Sequence, residues 1–156
     1  MNDHQTHECL AALIDAAAGA GAAFHAAAGE VRSEEARALL LDRADRYGRA
    51  AAGLRSRAAS GGPDTARAGD ADSGLPPIGA SDEARILAEC ERRECAVVVA
   101  FRDALEQKLP PDLRAVVARE FEPLLFGLGS LRVVAERAAR QRRHVAGRAD
   151  DLVRSV

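Results

Sequence analysis

Apolar residues recur in alternating four- and three-residue steps over most of this chain. Leu10, Ile14, Ala17, Gly21, Phe24, Ala28 and Val31 do so without a slip, which predicts one long helix from about His7 to Val31. A second stripe, Ala36, Leu40, Ala44, Tyr47, Ala51 and Leu54, follows Ser33-Glu34-Glu35. Ser33 reads as its N-cap, and the two acids complement the positive end of the helix. The join around Arg32 is short enough to force an antiparallel hairpin.

Ser81-Asp82-Glu83, again a cap followed by acids, opens a third helix that runs to about Lys108 and stops at Pro110-Pro111. Its stripe is Ile86, Cys90, Glu94, Val97, Phe101 and Leu105. The fourth helix begins near Pro111 and carries Leu113, Val117, Glu120, Leu124, Leu128, Leu131 and Ala135. Pro123 should kink it, and Gly127 and Gly129 soften the same region.

Only Ser60–Ala80 breaks the pattern, being dominated by Gly, Pro, Asp and Ser. At ~3.3 Å per extended residue it is long enough to cross the length of a bundle or to serve as a spacer. The expected organisation is all-α: one four-helix-bundle domain over residues 1–156. It comprises a hairpin over 8–59, a connector over 60–80, a hairpin over 81–146 and a short tail over 147–156. A crossing connector would make helices two and three parallel, and this arrangement is favoured. The simpler up-down-up-down order is also compatible with the connector.

Composition sharpens this picture. Hydrophobic content of 47%, charged content of 29% and a net charge of −2 are ordinary for a soluble domain. Aromatics are only 3% and the apolar mass is mostly Ala, Leu and Val, which favours closely packed helices over sheets. Lys108 is the sole lysine, a pattern that looks like GC-rich coding bias. Cys9, Cys90 and Cys95 form an odd set without C-x-x-C, which argues against a disulfide framework. The opening M-N-D-H-Q-T-H-E has no signal-peptide character. Asp15 and His25 interrupt Ala11–Gly29, so no membrane insertion is expected. A cytoplasmic location is the expectation.

Candidate chemistry centres on Glu94, an acid in the middle of an apolar stripe. A carboxylate facing a core must be paired, protonated or metal-bound. Glu91 and Glu94 form E-x-x-E, and Glu120 is a second acid on an apolar face. Four-helix carboxylate metal proteins also use Glu-x-x-His, which is absent here. A hairpin turning near Pro110 sets Glu94 level with Gly127 and Leu128, and Glu120 opposite Phe101. The two acids then lie roughly 10 Å apart along the axis and do not converge. An internal pair with Arg43 or Arg46, or a protonated Glu94, is the expected outcome. No catalytic or cofactor-binding residue is assigned. Glu91, Glu94 and Glu120 are the candidate ligands should iron or manganese bind.

Other features have simpler readings. His4, His7 and Cys9 have a spacing that suits zinc or nickel, but they read as an ordinary chain start. His25 is a boundary residue, and Cys95, near Arg92 and Arg93, is an incidental thiol. The arginines of Glu136–Arg148 suit a helix C-terminus, and Asp150-Asp151 follow them. Without an aromatic platform or a known motif, no nucleic-acid binding is expected. There is no phosphate loop or dinucleotide fingerprint.

Within Leu87–Leu105, the run E-C-E-R-R-E-C-A-V-V-V-A-F-R-D-A-L, with Glu91, Glu94, Phe101 and Ala104-Leu105, resembles the third helix of a bacterial ferritin-like four-helix-bundle family of uncharacterised function. L-P-P-D-L-R-A-V-V, Leu109–Val117, is similar to that family's turn into its fourth helix, and Gly21–Ala28 more loosely to its first. The family carries a tryptophan in the crossover and a histidine in the fourth helix. This chain has no tryptophan, and Leu128 stands at the histidine position. The resemblance implies a ferritin-like bundle. Function is expected to be non-enzymatic, through homo-oligomerisation or a protein partner, with carboxylate binding of iron or manganese as the alternative.

Overall fold

The computed structural model describes residues 3–60 and 82–154, with side chains described as far as Val145. Among the described residues the chain is all-helical: α1 (Asp3–Glu30), α2 (Glu34–Ser60), α3 (Glu83–Glu106), α4 (Pro111–Leu125) and α5 (Ser130–Arg154). Helix ends are closed by side chains that the sequence places there. Ser33 Oγ accepts from Ala36 N at 3.2 Å, and α3 is capped by Asp82, which accepts from Arg85 N, rather than by the expected Ser81, which lies outside the described residues. Arg37 donates to Ala28 O and Val31 O, satisfying carbonyls that α1 leaves free at its negative end. Pro111 opens α4 at a position that needs no N–H.

Cross-helix contacts fix the topology. Glu83 Oε2 accepts from Arg32 N and Ser33 N, so α3 starts beside the start of α2. Arg57 pairs with Asp112, so the end of α2 meets the start of α4. Arg137 with Glu35 and Arg142 with Asp82 return α5 to the first end. Helices α2 and α3 therefore run parallel, and α4–α5 runs against both. α1 packs on α2 and α3, while α4 and α5 pack on the same two helices from the other side. That leaves α2 and α3 diagonal across the core. Ser60 and Asp82 stand at opposite ends of the bundle. Apart from Ser60, which closes α2, the expected connector lies outside the described residues.

α1 is long and apolar enough, by composition, to cross a membrane. In the fold its apolar face, from Leu10 to Ala28, is core against α2 and α3. Gly21 explains the closeness of the α1–α2 pair. A Cβ there would meet Ala44 O and Gly48 N at 3.3 Å, a distance that only a glycine leaves comfortable.

The fourth helix departs from expectation. It does not merely kink at Pro123 but breaks into two helices at Phe126–Gly129. Proline cannot donate, the Phe126 N–H reaches only Pro123 O at 3.3 Å, and Gly127 and Gly129 take φ of 76° and 87°. The break re-aims the chain beyond it: Leu128, expected on the buried stripe, is 40% exposed, whereas Leu131 and Ala135 are buried. In α4 the buried position falls to Phe121, which stacks on Phe101 with ring centroids 5.5 Å apart, and Glu120 lies at the edge. α5 also runs to Arg154, past the end expected near Ala146. Gly147 alone does not stop a helix flanked by Ala, Arg and Leu.

Candidate functional site: a buried arginine–glutamate pair at a helix break

Two charged side chains lie in the core, Arg43 of α2 and Glu94 of α3, each 1% exposed. They bridge the diagonal helices, with Arg43 Nε 2.9 Å from Glu94 Oε1. That contact lacks hydrogen-bond geometry, so neither atom has a directional partner, and the attraction between them is electrostatic. The other two guanidinium nitrogens both donate hydrogen bonds. Nη1 donates to Phe126 O at 2.6 Å, and Nη2 donates to Gly127 O and, at 2.9 Å, to Ser130 Oγ.

These partners explain why an arginine is buried here. At the break Ser130 N, which would serve Phe126 O in a continuous helix, bonds Gly127 O instead at 3.0 Å and leaves the Phe126 carbonyl without its helical amide. The negative end of the α4 dipole also lies beside Arg43. A planar, permanently charged fork meets both needs at once. Arg46, half-buried and paired with Asp42, adds a donor to Phe126 O at 3.1 Å. Ser130 Oγ donates to Gly127 O at 2.7 Å. Gly127 lies so close that a Cβ would sit 2.9 Å from Arg43 Nη2, at a φ disfavoured for L-residues. Gly127→Ala is therefore expected to destabilise by about 2 kcal/mol, measured by urea unfolding. An unchanged midpoint would mean that Arg43 and the turn do not hold each other in this geometry.

Burial sets the electrostatics. It pushes the Glu94 carboxyl above its ordinary value, with Arg43 pulling the other way. Tyr47, one turn from Arg43 and fully buried, meets Phe24 edge-on with ring centroids 5.3 Å apart. Its phenol is pushed up, first by burial and then by Glu94, and its hydroxyl has no hydrogen-bond partner among the described residues. Cys90, one turn before Glu94, is pushed up to about 12 by burial, which keeps it a neutral thiol.

The candidate metal ligands are not brought together. Glu94 faces Arg43, Glu91 pairs with Arg132 at 2.7 Å, and Glu120 pairs with Arg119 while its carboxylate covers Gly53. Three acids with three different arginines do not fit a shared carboxylate centre. Among the described residues no group of three His, Cys, Asp or Glu side chains is placed to hold an ion. His4, His7 and Cys9 belong to the first turns of α1, where His4 pairs with Glu8 at 3.1 Å. Cys95 is exposed.

Arg43 was legible only as a partner beside the α2 stripe, not as a core residue. The signal was nonetheless there. Ala36, Leu40, Arg43, Tyr47, Ala50 and Leu54 form an unbroken four-three seam, and all six are buried. Skipping a charged residue turned that seam onto Ala44, which is only half-buried. The geometry is that of a structural clamp, and comparison with protein-family models and with curated proteins gave no match.

Proposed function

We propose that the protein is a non-enzymatic, ferritin-like helical bundle that acts through self-association or a protein partner. The parallel, diagonal placement of α2 and α3 supports the ferritin-like reading, because a connector must then travel the length of the bundle. One observation carries the binding role. Leu125, Phe126 and Leu128 crowd their apolar side chains onto the surface at the break, with Phe126 74% exposed. The backbone beneath them is clamped by Arg43. Single exposed apolar residues are unremarkable, but three within four positions on a fixed turn suit a contact surface.

Light scattering after size exclusion tests this. The expected result is a dimer or larger species, or a stoichiometric partner, that is lost in Phe126→Asp while helicity is kept. A monomer at every concentration with no partner recovered would overturn the reading. So would stoichiometric iron or manganese in protein purified without chelator, if it disappears in Glu94→Gln.

A further inference from the structure

We propose that α5 is a detachable arm: it undocks from the bundle as a unit about the Phe126–Gly129 break, with Arg43 as the latch that holds it closed. The inference goes beyond the contact surface proposed above and does not depend on it.

Three sets of observations lead there. First, the break separates α4 from α5 mechanically. The α-helical ladder is interrupted at Phe126–Gly129, where three-residue turn bonds such as Leu128 N to Leu125 O at 3.4 Å take its place, and both glycines sit at positive φ, where rotation meets no Cβ. α5 can therefore change direction without disturbing α4.

Second, α5 leans mainly on one helix, α3, through few fully buried side chains. Between Ser130 and Val145 its buried side chains are Leu131, Val134 and Ala135, with Ala138 and Ala139 half-buried. α1 buries side chains along its whole length from Leu10 to Ala28, and α2 from Ala36 to Ala58. Among the described side chains, the other ties of α5 to the helices include ion pairs from exposed arginines: Arg132 to Glu91, Arg137 to Glu35 and Arg142 to Asp82. Pairs so open to water hold little. From Arg140 to Val145 every residue is exposed.

Third, the strongest polar anchor of the arm is not on the arm. Arg43, fixed within α2 and facing Glu94 of α3, reaches Ser130 Oγ at the first residue of α5 and the carbonyls of Phe126 and Gly127 just before it. An element with few buried contacts and one concentrated anchor belongs among the parts of a fold that open before the whole. Opening would uncover the side of α3 that α5 covers.

Native-state hydrogen exchange on the full chain tests the proposal. Amides of Glu136–Ala139 should exchange at least about tenfold faster than those of Ala17–Phe24, Tyr47–Leu54 and Val97–Ala104, and with weaker dependence on urea. Ser130→Ala removes one strand of the latch without leaving a buried charge. It should speed exchange at Glu136–Ala139 about fivefold to tenfold, the effect of losing the one bond from Arg43, since the bond of Ser130 Oγ to Gly127 O lies within the turn, and leave α1–α3 unchanged. These amides lie more than a turn beyond the substituted residue, so fraying of the first turn alone would not reach them. Equal protection and equal urea dependence in α5 and α1–α3 would overturn the proposal. So would a Ser130→Ala effect that is absent, or that is spread evenly over all helices.

Discussion

Arg43→Met is expected to lower the unfolding free energy by about 3–5 kcal/mol, the range seen when one member of a buried pair is removed. Methionine fills much of the volume and keeps the side chain unbranched, so the loss is chiefly polar. It has two sources. Phe126 O and Gly127 O lose the guanidinium that binds them both, and Glu94 is left in the core without a countercharge. The size of the effect reflects how many elements Arg43 joins: it lies on α2, faces α3 and holds the junction of α4 with α5. Urea unfolding followed by circular dichroism gives the number. A loss below about 1 kcal/mol would mean that the pair behaves like an exposed ion pair and that the clamp is not structural.

Adding Glu94→Leu to Arg43→Met is expected to recover about 2–4 kcal/mol of that loss. Buried ion pairs can often be exchanged for apolar residues with little cost, because the desolvation of both charges disappears with them. The carbonyls left behind keep secondary donors, Arg46 for Phe126 O and Ser130 for Gly127 O. The acid is thus the more damaging residue to strand.

The pH dependence distinguishes this from simple repacking. Burial raises Glu94 in the folded state, so the folded chain binds a proton there more tightly than the unfolded chain does. Its contribution is therefore complete below the ordinary carboxylate value and is lost as pH rises through the raised folded value. Arg43 lowers the Glu94 value, so its removal raises it further and widens that window upward. Between pH 4 and pH 8 the single variant should lose stability more steeply than the wild type. The double variant, with no acid at 94, should lack that component. Parallel pH profiles for the single and double variants would show that Glu94 does not carry it.

Much of the architecture was legible residue by residue. Ser33 caps the helix it was expected to cap, Pro111 opens α4, and Glu94 sits on the core face of α3. Each of these depends on interactions within a few residues along the chain, which spacing and residue type specify directly. The sequence by itself thus determined the helical class, the starts of α2 and α4, most of the buried faces of α1 and α3, and the presence of a core acid in need of a partner.

Only the tertiary structure decided which arginine would answer Glu94 and what else that arginine would do. Pro123, Gly127 and Gly129 announced a weakness in the fourth helix. Whether it bent or broke depended on a donor that could reach the freed carbonyls from another helix. Arg43 is that donor, 83 and 84 residues away along the chain from Phe126 and Gly127. The break then turned Leu128 outward, which a helical repeat does not encode. Periodicity records which side of a helix is buried. It carries no information about which buried groups meet, because that is set by how distant helices pack.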